Sequence, residues 1–308
     1  MTAHPRSPHR SQPALARSGM DRAAGERSDE AVAAARADAG TRVLIVRGDR
    51  APLDEGQTTL RFVAPVDVPE GAQWAFLGRS DGVAVLCAAF PADAEDPVDA
   101  PGGWAGLRAV GGALDAADAG VFVQAVSLGR WLVDSPYCPS CGGVAALAGG
   151  GWSRRCTVCS REHFPRTDPA IIVAVESEER SRLLLGSNAL WGQDRYSCFA
   201  GFVEAGESLE AAVEREIQEE SGIRVAAVEY RGSQAWPYPR SLMVGFRAQA
   251  ARDADARPDG DEIVSVRWFS RAELSAAFEG RSEVLLPGAA SIAHTLIRDW
   301  TADGDPPR

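Results

Sequence analysis

The chain has 308 residues, 45% of them hydrophobic and 24% charged, with a formal net charge of −11. This length suits about two domains with apolar cores, and the composition excludes collagen-like and wholly disordered proteins. None of the 32 basic residues is a lysine, which excludes P-loop and Schiff-base chemistry. The acidic balance argues against tight non-specific binding to nucleic acid. No apolar run reaches the roughly 20 residues that cross a bilayer.

The first part of the chain carries little chemistry. Residues 1–14 lack the apolar segment of a signal peptide and predict a disordered tail, so we expect a cytoplasmic protein without membrane contact. In that compartment six cysteines indicate reduced thiols or metal ligands rather than disulfides. Residues 15–134 predict a small α+β domain, with strands near 41–47 and 83–90 and a helical stretch within 107–130. This domain shows no catalytic constellation, which favours a scaffold or an interface.

The most specific local pattern is a pair of Cys-x2-Cys motifs, formed by Cys138, Cys141, Cys156 and Cys159. Four thiolates at this spacing are typical of a tetrahedral zinc site. Because every position is a cysteine, the site is closed, and we predict a structural zinc ribbon over residues 135–163. The alternative is two redox motifs or incidental thiols. His163 is surplus as a ligand, and we expect it at the surface or near the substrate.

Residues 164–302 predict a third domain. A β-branched run at 170–175 is a strand with a hairpin partner near 182–186. A further strand leads into Gly201. Ser208 suits the N-cap of a helix and Gly222 suits its terminator, so the segment between them predicts a helix of about three to four turns.

This helix carries acids where packing favours apolar side chains. Leu209, Ala212 and Val213 define its inward stripe, and the stripe continues into Glu216 and Glu220, with Glu219 beside them. Like charges on one partly buried face are unfavourable unless a cation compensates them. Hard oxygen ligands favour Mg²⁺ or Mn²⁺. The alternative is an ordinary solvated acidic face.

Residues 201–223 match the pattern G-x5-E-x7-R-E-U-x-E-E-x-G-U, where U is aliphatic. The segment resembles the signature of Nudix hydrolases at every fixed position. The resemblance implies an αβα sandwich that hydrolyses a nucleoside diphosphate linked to another group. It assigns Glu216, Glu219 and Glu220 to divalent metal, with Glu220 or a neighbour activating water. It also assigns Arg215 to orienting this cluster through Glu207.

A second motif narrows the resemblance. Residues 233–241, Ser-Gln-Ala-Trp-Pro-Tyr-Pro-Arg-Ser, are similar to the S-Q-P-W-P-F-P-x-S motif of NADH pyrophosphatases. Ala235 stands where proline is usual, and Tyr238 where phenylalanine is usual. The alternative is a Pro-rich loop whose aromatic residues fill a gap in the core. With the N-terminal domain and the zinc ribbon, the resemblance to this family covers most of the chain.

The same resemblance implies further site residues. Glu262 corresponds to an additional carboxylate on the metal side, and Ala293 borders the base pocket. Phe164 and Phe202 are placed to sandwich a ring, although both also suit an apolar core. The implied substrate-binding set is Phe164, Phe202, Gln234, Trp236, Tyr238, Ser241 and Ala293.

The sequence therefore predicts an α+β N-terminal domain, a four-cysteine zinc ribbon and a Nudix αβα sandwich, ending in a tail at 303–308. The expected activity is cleavage of NAD(H) to NMN(H) and AMP with Mg²⁺ or Mn²⁺, beside a structural Zn²⁺. NAD-capped RNA is a further candidate substrate, and the resemblance implies a homodimer. The alternatives are a Nudix hydrolase acting on ADP-ribose or another dinucleotide, and a non-catalytic Nudix ligand-binding module.

Overall fold

The computed structural model describes residues 11–192 and 194–304. The chain divides into two compact units. The N-terminal unit comprises Leu15–Thr167 with Ala235–Arg240, and the C-terminal unit comprises Met1–Ala14, Asp168–Gln234 and Ser241–Arg308. No helix among the described residues is long and apolar enough to cross a membrane.

The two predicted tails fall largely outside the described residues. Residues 1–10 and 305–308 are not described. Of the remaining residues of the N-terminal tail, Pro13 is buried, and the Ser11 N–H donates to Asp299 Oδ2 at 3.1 Å. Residues 11–14 are therefore part of the folded C-terminal unit rather than of a disordered tail.

The N-terminal unit is built on a five-stranded sheet. Its elements are α1 (Asp29–Ala37), β1 (Arg42–Arg47), β2 (Arg50–Pro52), β3 (Gln73–Ser80), β4 (Val83–Phe90), β5 (Trp104–Gly106), α2 (Leu107–Val110) and α3 (Ala116–Asp134). The strand order is β3-β4-β1-β2-β5, with β1 and β4 parallel. The helical stretch predicted within 107–130 is broken after α2, where Gly111 and Gly112 lie in a turn.

Helix α3 packs closely on this sheet. It contacts β1, β3 and β4, and its buried positions are small or apolar apart from Gln124, whose Nε2 donates to Leu77 O at 2.7 Å. A Cβ at Gly129 would lie 2.8 Å from Val46 Cγ2, so this glycine permits the close approach. Among the described residues, no acidic side chain of α3 is buried.

The zinc-ribbon segment forms a small antiparallel sheet within the same unit. Its strands are β6 (Ala145–Ala148), β7 (Ser153–Cys156) and β8 (Glu162–His163), in that order. Two of the four cysteines lie before β6, and the other two lie at the end of β7 and in the turn after it.

The C-terminal unit contains a six-stranded sheet and three helices. Its elements are β9 (Asp168–Glu176), β10 (Arg182–Asn188), β11 (Phe199–Phe202), α4 (Leu209–Ser221), β12 (Val225–Trp236), β13 (Ser241–Ala250), β14 (Ile263–Ser270), α5 (Arg271–Phe278) and α6 (Ile292–Ala302). The strand order is β12-β13-β9-β10-β14, and β11 pairs with β9. β9 and β13 are parallel, whereas β10 and β11 run antiparallel to β9. The last two residues of β12 count with the N-terminal unit.

This sheet is covered on both faces, which confirms the predicted αβα sandwich. Ile171, Val173 and Val175 of β9 share one core with the inner side of α4. Ile172 and Ala174 point to the other face, where the core is completed by α5 and α6. Alternation along one strand thus builds both layers, because successive side chains of a strand point in opposite directions.

Candidate active site

Helix α4 is fixed at both ends by local sequence. The Ser208 side chain accepts a hydrogen bond from the Ala211 N–H at 3.1 Å, which caps the first turn. Gly222 adopts φ 68°, the left-handed conformation that glycine tolerates best, and its N–H donates to Gln218 O. The helix therefore starts and stops where the sequence predicts.

The acids of α4 are not equivalent. Ala212, Val213 and Ile217 continue the buried stripe into the core. Glu220 follows on this side with only 5% of its surface exposed. Glu219 instead has 60% of its side chain exposed. The expectation that three carboxylates share the inward face is wrong for Glu219, because a step of about 100° per residue turns it away from the core.

Glu216 lies directly over the backbone of Gly201. A Cβ built on Gly201 would fall 1.9 Å from the Glu216 Cδ and 2.0 Å from its Oε1. A real Cβ is not tolerated at such distances, so glycine is required for this placement of the carboxylate. The side chain of Glu216, on α4, is thereby packed against the backbone of strand β11.

Arg215 ties the loop before α4 to the helix. Its Nε and Nη2 donate to the two carboxylate oxygens of Glu207 at 2.8 and 2.9 Å. Its Nη1 contacts Glu216 Oε1 at 2.8 Å and Glu219 Oε2 at 3.1 Å. Its Nη2 also donates to Phe202 O at 3.0 Å. One guanidinium thus orients three carboxylates, since its planar fork fits them in fixed directions.

The hydrogen bonds around Arg215 shift the pKa values of Glu207 and of Arg215 itself. Hydrogen bonds from Arg215, together with the Glu204 N–H, lower the pKa of Glu207 to about 2. The carboxylates in turn raise the pKa of Arg215, with Glu207 contributing most. Glu207 is therefore a permanent anion paired with Arg215, which suits a positioning role.

The surroundings of Glu220 disfavour the ionised form of its carboxyl group. Burial, followed by repulsion from Glu262, Glu216 and Asp259, raises its pKa to about 8, and only the Ala200 N–H acts in the opposite sense. Its Oε2 atom is buried and has no hydrogen-bond partner among the described residues. A divalent cation would relieve both the repulsion and the unpaired oxygen, so these residues fit the metal that the Nudix pattern implies.

The carboxylates are nevertheless spread out. Among the described residues, only the four cysteines of the ribbon bring their ligand atoms within 4.8 Å of one another. A cation between Glu216, Glu220 and Glu262 is then expected to keep several of its waters, as Mg²⁺ usually does.

The ribbon cysteines form a compact sulfur cluster. Cys138 and Cys159 Sγ atoms lie 3.7 Å apart, and those of Cys141 and Cys156 lie 3.5 Å apart. The N–H groups of Cys159 and Val158 point at Cys156 Sγ and lower the pKa of that thiol to about 6. Thiolates stabilised by backbone N–H groups suit a closed Zn²⁺ site.

We expect about one zinc per chain by elemental analysis of the purified protein, because four cysteines close the coordination shell. Mild chelation that removes the catalytic metal is expected to leave this zinc bound. Folded protein without zinc would contradict the assignment.

The residues of the second motif divide between the two units. Gln234 is buried in the C-terminal unit, where its Nε2 donates to Ala290 O at 3.0 Å. Ser241 is buried opposite Asp168 at the start of β13, and Ala293 is buried in the first turn of α6. These three residues belong to one side of the sandwich.

Trp236 and Tyr238 belong to the N-terminal unit. Their ring centroids lie 5.0 Å apart. The guanidinium of Arg108 lies 3.9 Å from the centroid of the Tyr238 ring, whose hydroxyl accepts the Arg108 N–H at 3.2 Å. Arg130 donates to Pro237 O at 3.0 Å, so the centre of the motif is anchored within this unit.

The two phenylalanines expected at the substrate ring are surface residues. Phe164, in the N-terminal unit, is 46% exposed, and Phe202, in the C-terminal unit, is 53% exposed. The alternative that they are plain core residues is therefore wrong. Large aromatic faces left open to solvent are available for stacking.

Comparison with known proteins now decides the family. Three family models match successive parts of the chain: an NADH pyrophosphatase-like rudimentary NUDIX domain at residues 9–131, an NADH pyrophosphatase zinc ribbon domain at 134–164, and a NUDIX domain at 166–287. The NAD-capped RNA hydrolase NudC of Mycobacterium tuberculosis is 36% identical over 305 residues, which covers 95% of this chain and 96% of that protein. The chain belongs to the NADH pyrophosphatase family of Nudix hydrolases.

A human relative matches a shorter stretch. The NAD-capped RNA hydrolase NUDT12 is 36% identical over 193 residues, which cover 59% of this chain and 42% of that protein. The rudimentary NUDIX model also explains the N-terminal domain, for which the sequence predicted only an α+β scaffold. Helix α3 of this domain lies on a mixed sheet as α4 does, but it carries no cluster of glutamates like that of α4.

Two residues next to Glu262, Asp259 and Asn188, were not singled out by the sequence analysis. Asp259 accepts the N–H groups of Asp261, Glu262 and Ile263 at 2.6 to 3.1 Å, which fixes the turn that carries Glu262. Asn188 Nδ2 reaches Glu262 Oε1 at 3.3 Å. The contacts of Asp259 are local, whereas Asn188 lies 74 residues from Glu262, so the sequence gives no signal of that contact.

His163, expected at the surface or near the substrate, is half-buried beside the zinc ribbon. Its Nε2 lies 3.0 Å from Cys138 Sγ, and the same side chain lines a cavity next to the ribbon.

Proposed function

We propose that the protein hydrolyses the pyrophosphate of NAD(H) to NMN(H) and AMP, and that NAD-capped RNA is a further substrate. The main support is the placement of Glu216 and Glu220 beside Glu262, with the unpaired Oε2 of Glu220 buried among them. The relatives named NAD-capped RNA hydrolase support the substrate class. The motif around Trp236 supports the same assignment.

The chain's own residues perform four tasks in this reaction. Arg215 holds Glu207 and Glu216 in place, and Gly201 leaves the space that the Glu216 carboxylate occupies. Glu216, Glu219, Glu220 and Glu262 would hold the divalent metal, which when bound would neutralise charge on the two phosphates and lower the pKa of the attacking water. Glu220, or a neighbouring carboxylate, accepts the proton of that water as the bridging P–O bond breaks.

Substrate recognition uses residues that lie mostly outside the Nudix signature at 201–223. The exposed rings of Phe164 and Phe202 provide stacking faces for the base. The other proposed substrate contacts are Gln234, Ser241 and Ala293 of the C-terminal unit and Trp236 and Tyr238 of the N-terminal unit. No covalent nucleophile is required, since water is the attacking group.

We further propose that the catalytic metal is Mg²⁺ or Mn²⁺, that the protein is a homodimer, and that it acts in the cytoplasm. Oxygen ligands with waters retained favour Mg²⁺ and Mn²⁺ over softer metals. Sedimentation analysis tests the dimer, and activity titrations with each cation test the metal.

The decisive experiment compares NADH, NAD⁺, ADP-ribose and NAD-capped RNA in parallel with Mn²⁺ present. We expect AMP and NMN(H) from the dinucleotides, measured by chromatography of the products. Rapid cleavage of ADP-ribose without AMP release from NADH would favour the other Nudix specificity. Tight binding of all four without turnover would favour a non-catalytic module.

A further inference from the structure

A cavity of about 340 Å³ lies within the N-terminal unit, beside the zinc ribbon. Six of the residues that line it matter for its chemistry: Trp131, Tyr137, Arg154, Phe164, Arg166 and Arg240. Five of them play no part in the active-site carboxylate network described above, and Phe164 is shared with the proposed substrate contacts. The cavity combines three arginines with three aromatic rings.

Arg154 is a buried cation without a counter-charge. It is 5% exposed, and its Nη1 and Nη2 donate to Ala145 O and Leu132 O at 2.7 and 2.5 Å. Its Nε is buried without an acceptor, and no carboxylate of the described chain forms an ion pair with it. The carbonyls at the end of α3 offset only part of this charge. Placing an unpaired guanidinium in a cavity wall is unfavourable unless an anion occupies the cavity.

Two exposed arginines extend the positive charge to the rim. Arg166 follows the ribbon, and Arg240 comes from the segment 235–240 of the second motif. Asp134 is the one acidic side chain among the described lining residues. The three arginines are not adjacent in the sequence, and Arg240 is distant from the other two, so no basic run is visible in a chain of net charge −11. Folding gathers them into a local site for an anion.

The aromatic side chains suggest what the anion carries. Tyr137 is 64% exposed at the cavity, and the Arg154 guanidinium lies 5.4 Å from the centroid of the Trp131 ring. Exposed rings beside cations are typical of sites that stack unpaired bases and neutralise the phosphates between them. A site for phosphate alone would not need aromatic rings. The bases of a duplex are already paired and stacked, so they cannot stack on these side chains.

We propose that this cavity binds a nucleotide of single-stranded RNA, with Arg166 and Arg240 at the phosphates and Tyr137 against the base. The inference rests on the proposed function and deepens it, because it assigns the RNA body of an NAD-capped substrate to the N-terminal unit. The free dinucleotide has no such body, and of the cavity residues named above it uses only Phe164.

The test measures binding of a fluorescein-labelled, uncapped, short single-stranded RNA to the full zinc-loaded chain, by anisotropy without catalytic metal. Arg166→Ala is expected to weaken binding about fivefold. It should also make the slope of log affinity against log salt concentration shallower by roughly 0.7, because one phosphate contact is lost. Tyr137→Ser is expected to weaken binding about fivefold or more through lost stacking, with the salt slope unchanged.

Arg155→Ala is the matched control, because Arg155 is an exposed arginine on the same ribbon that does not line the cavity. It is expected to bind RNA as the wild type does. Both Arg166→Ala and Tyr137→Ser should raise the KM for NAD-capped RNA while leaving kcat/KM for NADH unchanged.

Three results would overturn the proposal. These are equal weakening by Arg155→Ala and Arg166→Ala, equal competition by an RNA duplex or an acidic peptide, and displacement of the RNA by inorganic triphosphate as effectively as by a mononucleotide. Because the probe has no NAD cap and no catalytic metal is added, an inactive enzyme would not affect this measurement. Failure of the RNA site and failure of the proposed activity are therefore distinguishable.

Discussion

Glu220→Gln is expected to lower kcat for NADH by roughly 10²- to 10⁴-fold, the range for loss of a general acid or base. Glutamine has the same shape and can still accept the Ala200 N–H, but it cannot take up a proton or carry charge toward a cation. Product release in a steady-state assay measures the loss. Burial and repulsion by Glu262 and Glu216 raise the pKa of Glu220 to about 8, so at pH 7 without divalent metal the folded chain must keep this carboxyl protonated, which costs stability. Glutamine avoids that cost, so the melting temperature of the variant without metal should equal or exceed that of the wild type.

The control for this substitution is Glu214→Gln on the same helix. Glu214 is exposed on α4 and has no place in the carboxylate network described above. Its loss of one negative charge matches that of Glu220→Gln, so a general effect of net charge would appear in both variants. Activity of Glu220→Gln within about threefold of Glu214→Gln would contradict the role of Glu220.

The sequence predicted the parts of the fold that depend on short-range patterns. The strand β4 follows from an apolar run that ends before Pro91, the core of β9 follows from a β-branched run, and the limits of α4 follow from Ser208 and Gly222. The four cysteines are close enough in sequence for their spacing to predict one zinc site. In each case the decisive residues lie within a few turns or one hairpin of each other.

The sequence was less informative where the side chain's direction depends on tertiary packing. The exposure of Glu219 is not of this kind, because the step of about 100° per residue turns Glu219 away from the side that buries Ile217 and Glu220. By contrast, nothing in the sequence placed Asn188 beside Glu262 or gathered Arg154 with Arg240 at one cavity. Such groupings exist only after distant segments meet.

Gly201→Ala is expected to lower kcat for NADH by about 10- to 100-fold, comparable to the loss of a residue that orients a metal ligand. The added Cβ would lie 1.9 Å from Glu216 Cδ, so the Glu216 carboxylate must rotate away from its position. Gly201 does not have a positive φ, so alanine introduces no backbone strain there. Gly288→Ala is the control, because its Cβ would meet nothing within 4 Å, and it should retain wild-type kcat.

A double-mutant cycle decides whether Gly201 acts through Glu216. Glu216→Ala removes the carboxylate that the new Cβ would strike, so Gly201→Ala should cost almost nothing further in that background. The coupling free energy is calculated from the ratios of the kcat values. It is expected to be nearly as large as the whole effect of Gly201→Ala in the wild-type background. If the two losses multiply instead, the methyl group damages something other than the Glu216 placement, such as the pairing of β11 with β9. In that event Gly201 would matter for the sheet, and the close packing of Glu216 on its backbone would not explain the requirement for glycine.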